Sequence, residues 1–423
     1  MSSTSSSYEL VLTSSPDGPI VAYDASTGAA VARFPGTRSP RGGLTVAGNC
    51  FIAGCHVSPH TAAVSIHLYN WHTWSVLHRF SVPEFVAPLA ATADGGYLFA
   101  GGQSGSIHCF SVPSGDVVKS FPAHAKPISC LQLSNDGSLV ISGSDDGSIT
   151  VIPTFQLVES SDSNPKDLIL HHFNAHSDSI TAFSTGLGLL CNSILVSSSL
   201  DSTCKFWNLL EGTHLRTMTF PCPINGVAIS NSTSDSHYFF AAGSDGSVYK
   251  GSTKKAQELV RKWNQSHVGP IVSVVLVNEG RNLVSAGEDG SVWMWKVGTE
   301  EVIMEIGNNN AGSISDMIVA RGTSEYRGKS NSDGEGDDEN NNRFSSSWML
   351  NNNEEVMRSM KKIMEVGDVL SVVEEDKKKA IKMLESAIAM YERLLELILE
   401  EALKGSADDS DEEEDEEDEK DDK

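Results

Sequence analysis

The chain has 423 residues, 31 basic and 56 acidic, for a net charge of −25, and 39% of its residues are hydrophobic. That supplies enough apolar side chain for a large core, while the acidic balance argues against gripping nucleic acid by general electrostatics. No apolar run approaches the length of a bilayer span, the N-terminus MSSTSSSYEL lacks a basic region and an apolar core, and the seven cysteines are odd in number and scattered; a soluble, reduced, intracellular protein without membrane contact is expected.

Residues 9–14 and 20–23 alternate apolar and polar side chains around Asp17-Gly18, the pattern of two strands joined by a tight turn. This punctuation recurs along the chain, with Ser104 standing in for the acid in AGGQSGSIHCF. The residue after each turn position is Gly18, Gly105, Gly147, Ser202, Gly246 and Gly290, in steps of 87, 42, 55, 44 and 44. The first step spans two periods, and its missing unit is FIAGCHVSPHTAAVSIHLYNW, where a longer hairpin replaces the turn. Seven units of about 40 to 45 residues and four strands each are the pattern of a WD-repeat β-propeller, so residues 1–322 are expected to form one all-β domain.

Two units carry a full set of polar markers: His176, Ser197, Asp201 and Trp207, then His267, Ser285, Asp289 and Trp295. In both, the serine stands four residues before the aspartate and the tryptophan six after. The turn carboxylate is expected to bridge the other three and lock strand register. His124, Ser142 and Asp146 repeat the set with Ile152 in the tryptophan position; Asp245 stands between Ala241 and Gly251, and Asp17 between Thr13 and Tyr23. His, Ser and Asp together are also the parts of a hydrolase triad. A triad, however, is not repeated in every blade and needs an accessible nucleophile, so these residues are read as structural and no catalytic group is expected.

The first unit begins at its second strand, so residues 314–320, SISDMIVA with its flank, are expected to complete it and close the ring. The fourth unit carries an insertion, ESSDSNPKDLILHH, and the sixth carries KGSTKKAQELVRKW, both expected as rim loops or short helices. In the latter, Lys250, Lys254, Lys255, Arg261 and Lys262 form a basic cluster, a candidate contact for RNA or an acidic partner against the plain reading of a solvated rim. Cys50, Cys55, His56 and His60 match no common zinc spacing, and no metal or cofactor is expected. Gly328-Lys329-Ser330 resembles a phosphate loop, but Gly322 lies one residue too far upstream and no helical sequence follows.

Residues 323–352 are polar, acidic and asparagine-rich, the composition of a disordered linker. Helix-forming sequence covers 353–404. Within it Ile381, Leu384, Ile388, Tyr391, Leu395, Ile398 and Ala402 alternate three and four residues apart, a heptad seam expected to join two copies of the chain or to meet another subunit or the propeller itself. Residues 405–423 form an acidic tail of 13 acids and 2 bases, either a solubilising segment or bait for basic proteins. Ser406 and Ser410, each followed three residues on by an acid, fit acid-directed kinases.

Three stretches, SSPDGPIVAYDASTGAAVARFPG, LRTMTFPCPINGVAIS and YFFAAGSDGSVY, together with the order propeller, linker, C-terminal helix, resemble the WD-repeat subunits of the nucleolar rixosome, of the plant root-initiation-defective type. The resemblance covers residues 8–404. It implies a non-enzymatic scaffold for pre-rRNA spacer processing and large ribosomal subunit assembly, a homodimer through the C-terminal helix, and residence in the nucleolus and nucleoplasm. The implied partners are a large helical-repeat rixosome subunit, the ATPase midasin and large-subunit precursor particles, with direct RNA contact left open. The competing readings are a chromatin- or histone-binding propeller and a ubiquitin-ligase adaptor. Against the adaptor, Trp207-Asn208-Leu209-Leu210 and Trp295-Lys296-Val297-Gly298 lack the acid and arginine that such receptors carry after the tryptophan.

Overall fold

The computed structural model describes residues 8–322 apart from the connecting segments 35–37, 49–50, 60, 62, 72–73, 159–167, 187–193, 210, 231–237, 254–259 and 307–311. The first blade is built from β1 (Tyr8–Ser14), β2 (Ile20–Asp24) and β3 (Ala30–Phe34), and the second from β4 (Leu44–Ala47), β5 (Phe51–Val57), β6 (Val64–Asn70) and β7 (Val76–Ser81). The third contains β8 (Val86–Ala91), β9 (Tyr97–Gly102), β10 (Ser106–Ser111) and β11 (Val117–Pro122). The fourth contains β12 (Ile128–Leu133), β13 (Leu139–Ser144), β14 (Ser148–Pro153), a one-turn helix α1 (Thr154–Val158) and β15 (His171–Asn174). Then come β16 (Ile180–Thr185), β17 (Ile194–Ser199), β18 (Thr203–Asn208) and β19 (Thr213–Thr219) in the fifth, and β20 (Ile224–Ile229), β21 (Tyr238–Gly243), β22 (Ser247–Ser252) and β23 (Arg261–Ser266) in the sixth. The seventh holds β24 (Ile271–Val277), β25 (Asn282–Gly287), β26 (Val292–Lys296) and β27 (Glu301–Ile306), and β28 (Asp316–Gly322) returns to the first.

The strands form seven antiparallel four-stranded sheets, one per blade, and the order of the first is β28-β1-β2-β3. The closing strand lies two residues later than the hydropathy pattern placed it, and pairs with β1 from Tyr8↔Gly322 to Ser14↔Asp316. The unit without an acid-glycine turn is the second blade, β4 to β7. The sixth-blade insertion is not wholly a rim loop: Lys250 lies in β22, while Arg261 and Lys262 open β23. The reason is that Tyr249↔Lys262 and Lys250↔Arg261 are ladder partners, so only the segment between them is free to loop.

Middle strands are covered by a neighbouring blade on each face, so β13 (LVISGS) is buried at every position, whereas the outer β19 has no buried position. This burial on two faces explains why the middle strands read as runs of apolar and small residues rather than as alternation. Neighbouring blades meet through their first strands, which therefore ring the axis. In β12, β16, β20 and β24 the register with the next strand shifts after the first residue. Three of the bulged side chains reach the following blade: Ser129 Oγ donates to the Ile180 carbonyl (2.5 Å), Thr181 Oγ1 to that of Ile224 (2.7 Å) and Asn225 Nδ2 to that of Ile271 (2.9 Å). These bulges turn a strand position into a stitch between sheets.

Candidate functional site

The loop entering each first strand and the turn between second and third strands lie on one face, the top, and the polar markers gather there. In the fifth blade His176 comes from the entry loop, Asp201 from the turn, and Ser197 and Trp207 from β17 and β18. His176 Nδ1 is 3.0 Å from Asp201 Oδ2, His176 Nε2 is 2.8 Å from Ser197 Oγ, and Trp207 Nε1 donates to Ser197 Oγ at 3.0 Å. A carboxylate only accepts, so Nδ1 carries the imidazole proton, Nε2 takes the seryl proton, and the seryl oxygen receives the indole N–H. The expected bridge from Asp201 to all three partners is instead a relay in which Ser197 is the hub, because Ser197 and Trp207 lie one layer deeper than the carboxylate. Asp201 also accepts from the Thr203 hydroxyl (2.6 Å) and amide (3.0 Å) and from the Ser177 amide (3.2 Å).

The seventh blade lengthens the relay by one link. Trp295 Nε1 donates to Ser285 Oγ (2.8 Å), which lies 2.7 Å from His267 Nε2. His267 Nδ1 meets Ser291 Oγ at 2.6 Å, and Ser291 donates to Asp289 Oδ1 at 2.6 Å. Asp289 therefore acts on His267 through a serine, not by contact as expected. The fourth blade does the same: His124 sits 2.8 Å from both Ser142 Oγ and Ser148 Oγ, and Asp146 accepts from the Ser148 amide. Ile152 fills the tryptophan's place in the core.

Burial pushes the pKa of His124 and of His267 down to about 4, against the pull of Asp146 and Asp289 respectively. Burial likewise lowers that of His176, with Asp201 opposing. For Asp201 burial works against the charge, but the Thr203 hydroxyl and His176 outweigh it and hold the carboxyl below its usual value. Neutral imidazoles suit relays in which one ring nitrogen donates and the other accepts. Ser142, Ser197 and Ser285 are fully buried, so their oxygens bind neighbouring strands together and present no face to a substrate.

Two further polar centres form around Ser104 and Asp245, turn positions whose partners the sequence markers do not include. In the third blade the acid missing from the turn is supplied by the entry loop: Glu84 accepts from the Ser104 amide (2.7 Å) and hydroxyl (2.6 Å) and from His108 Nε2 (2.7 Å), while His108 Nδ1 meets Ser120 Oγ at 2.8 Å. The acid here stands in the entry loop, where the fourth, fifth and seventh blades carry their histidine, and the histidine stands on β10. The readable signal is an acid in the entry loop of the blade whose turn lacks one. In the sixth blade Asp245 accepts from Lys262 Nζ (2.9 Å) and the Tyr249 hydroxyl (2.8 Å), with Cys222 Sγ at 3.4 Å. Burial opposes its charge, but Lys262 and Tyr249 prevail and bring the pKa down to about 2.

The three described cations of the sixth-blade cluster each have a carboxylate partner, Lys250 and Arg261 sharing one. Lys250 Nζ lies 3.2 Å and Arg261 Nη1 3.6 Å from Glu300 Oε1, Lys262 pairs with Asp245, and Lys250 also rests over the Tyr238 ring. Lys254 and Lys255 lie outside the described residues, as do Cys50 and His60 of the cysteine-histidine group. Cys55 Sγ donates to the Val86 carbonyl and His56 stacks on His67; among the described residues no three His, Cys, Asp or Glu converge as a metal site. The seam from Ile381 to Ala402, the tail serines Ser406 and Ser410, and the segments 323–352, 353–404 and 405–423 also lie outside the described residues.

The WD domain, G-beta repeat family matches residues 115–152, 168–208 and 257–296, which cover most of the fourth, fifth and seventh blades and so include the three histidine relays. The protein ROOT INITIATION DEFECTIVE 3 of Arabidopsis thaliana is 32% identical over 290 residues, 68% of this chain and 65% of that protein. The pre-rRNA-processing protein crb3/ipi3 of Schizosaccharomyces pombe is 24% identical over 48% of this chain and 45% of its own length. WD repeat-containing protein 18 of Danio rerio is 25% identical over 74% and 73%. The match thus spans about half to three quarters of these relatives' lengths. Proteins built on this propeller are typically non-enzymatic scaffolds. With seven four-stranded blades, the histidine relays and these similarities together, the chain is a WD40-repeat propeller protein homologous to ROOT INITIATION DEFECTIVE 3 and to the fungal pre-rRNA-processing protein crb3/ipi3.

Proposed function

We propose that this chain is a non-catalytic scaffold subunit of a nucleolar complex that processes pre-rRNA spacers and assembles the large ribosomal subunit. The observation that carries the reading is the similarity to a fungal protein named for pre-rRNA processing, over 208 residues. The structure agrees with a scaffold in its chemistry: the buried serines of the histidine relays offer no nucleophile, and the top loops and rim offer separate surfaces on one rigid ring. In this reading the helix at 353–404 pairs two copies through the seam, and the linker 323–352 lets the propellers reach different partners. The acidic tail 405–423, with Ser406 and Ser410 as phosphorylation sites, draws basic assembly factors. A large helical-repeat subunit, the midasin ATPase and large-subunit precursors are the partners, and the nucleolus and nucleoplasm the location. RNA contact by the propeller is left to Lys254 and Lys255, since their neighbours in the basic cluster are ion-paired.

Depletion of the protein tests this directly. Spacer-containing large-subunit precursors are expected to accumulate on a northern blot and to clear when the wild-type chain is restored; unchanged precursor levels after full depletion would sink the proposal.

A further inference from the structure

Ser-Pro occurs three times in the chain, at Ser15, Ser39 and Ser58, and Thr-Pro not at all. A kinase that requires proline after its target can read all three in an unfolded chain, but the fold leaves one. Ser15 is buried and its hydroxyl accepts the Asp17 amide (3.3 Å), while Ser39 is fully buried with its hydroxyl on the Gly43 carbonyl (2.9 Å). Ser58 stands at the top of the second blade, in the loop of residues 58–63 between β5 and β6 that replaces the tight turn. It is partly exposed, Pro59 is exposed, and the Ser58 hydroxyl makes no hydrogen bond among the described residues.

The side chain has a defined setting. The Ser58 amide donates to the Ala63 carbonyl (2.9 Å), so the β5–β6 ladder, in which Gly54 pairs with His67 and His56 with Ser65, runs one step past Val57↔Val64. Alternation then puts Ser58 on the face that carries His56, Ser65 and His67, and Arg79, the β7 partner of His67, shares it. That face is turned to the first blade. Tyr69, two residues beyond His67, packs on Phe34 with ring centres 5.7 Å apart, whereas Cys55, on the other face, bonds to Val86 ahead of the third blade.

What gathers there is cationic. His56 and His67 stack with ring centres 4.5 Å apart, and His56 Nδ1 is buried without a hydrogen-bond partner. Burial, then the charges of Arg79 and Arg38, lower the pKa of His56, with no carboxylate to oppose them. Arg38 arrives on the loop between β3 and β4, and its carbonyl accepts the Val57 amide (3.2 Å), one residue from Ser58. Among the described residues its guanidinium pairs with Asp17 alone, at 4.0 Å and in solvent, a contact too long for a hydrogen bond and weak as an ion pair. Arg79 is exposed and forms no ion pair among the described residues.

We propose that Ser58 is the phosphorylation site of a proline-directed serine kinase and that Arg38 receives the phosphate, fastening the hairpin tip to the loop that comes from the first blade. The Ser58 oxygen attacks the γ-phosphorus of ATP; the new O–P bond forms as the bond to ADP breaks, and the seryl proton passes to the kinase's catalytic carboxylate. The product adds about −1.5 to −2 charges beside a guanidinium that has only a weak partner, and Arg79 adds to the field that holds them. This goes beyond the ribosome-assembly reading and stands without it, since it rests on the propeller alone.

The test treats the folded full chain, and three synthetic peptides each centred on one Ser-Pro, with ATP and an active mitogen-activated protein kinase, and maps the phosphate by peptide mass spectrometry. All three peptides are expected to be labelled, the folded chain at Ser58 only, and Ser58→Ala is expected to lose the label. No label at Ser58 of the folded chain, or label at Ser15 or Ser39, overturns the site. The receiver is read from the rate at which a broad-specificity phosphatase removes the phosphate. Removal should be about tenfold faster in Arg38→Ala than in the parent, the equivalent of one lost charge-assisted hydrogen bond. Arg41→Ala, which removes the same charge from the same loop, should leave the rate unchanged. If Arg38→Ala melts early, Arg38→Gln is read in its place. Equal rates in the parent and the Arg38 variant, or an equal gain in Arg41→Ala, overturn the role of Arg38.

Discussion

Replacing Ser197 by alanine removes the hub of the fifth-blade relay while leaving the strand and its packing in place. The serine oxygen is fully buried and has two strong partners, the Trp207 indole N–H and His176 Nε2. Both lose their partner in a site that water does not reach, at about 1–3 kcal/mol per group, so the loss should be about 3 kcal/mol. With an unfolding entropy of about 2.1 cal/mol/K per residue over roughly 310 residues, that is about 4–5 °C of melting temperature. Asp201→Ala should cost less, about 1–2 kcal/mol, because Thr203 Oγ1 lies 3.1 Å from His176 Nδ1 and can replace the lost acceptor. Calorimetry on both variants and the parent checks the order. A Ser197→Ala protein melting with the parent, or a larger loss in Asp201→Ala, would refute the relay with a serine hub.

A chain ending at residue 310 lacks β28, leaves the edge of β1 unpaired along its length and should aggregate; a soluble, cooperatively folding fragment would show that the ring does not need this strand. Unfolded, His267 takes up a proton near pH 6.5, but folded it does so only at about 4. Its contribution to stability is therefore full above 6.5 and declines as the pH falls towards 4, by at most about 1.4 kcal/mol per pH unit. Urea midpoints at pH 7 and pH 5 should converge less in the parent than in His267→Asn, which lacks this slope, and equal slopes in the two would remove the neutral-imidazole relay. For the seam, light scattering should find a dimer for the parent and a monomer with an intact propeller for Leu395→Asp; a monomeric parent at tens of micromolar, roughly the level a weak seam would support, would exclude the homodimer.

The parts of this fold that could be read from the sequence are those in which a local hydrogen-bond geometry imposes a spacing. A serine four residues before a turn acid and a tryptophan six after it recur because strand, turn and strand must place them in one layer, and the second blade was found only as a gap in that period. Closure was readable because the first blade is one strand short, though the strand begins at Asp316, two residues later, since Ile314 and Ser315 belong to the entry loop. The polar centres that escaped draw partners from distant loops or from other blades. Glu84 meets Ser104 and His108 from a loop twenty or more residues away. The ion pairs of the sixth-blade basic residues were out of reach for the same reason, because Glu300, the one carboxylate that Lys250 and Arg261 share, comes from the seventh.

Purification of the tagged full-length chain from nuclear extract, followed by mass spectrometry of what co-elutes, tests the scaffold assignment most directly. Large-subunit assembly factors are expected, among them a large helical-repeat protein and the midasin ATPase. Recovery of ubiquitin-ligase subunits or histones without those factors would contradict it.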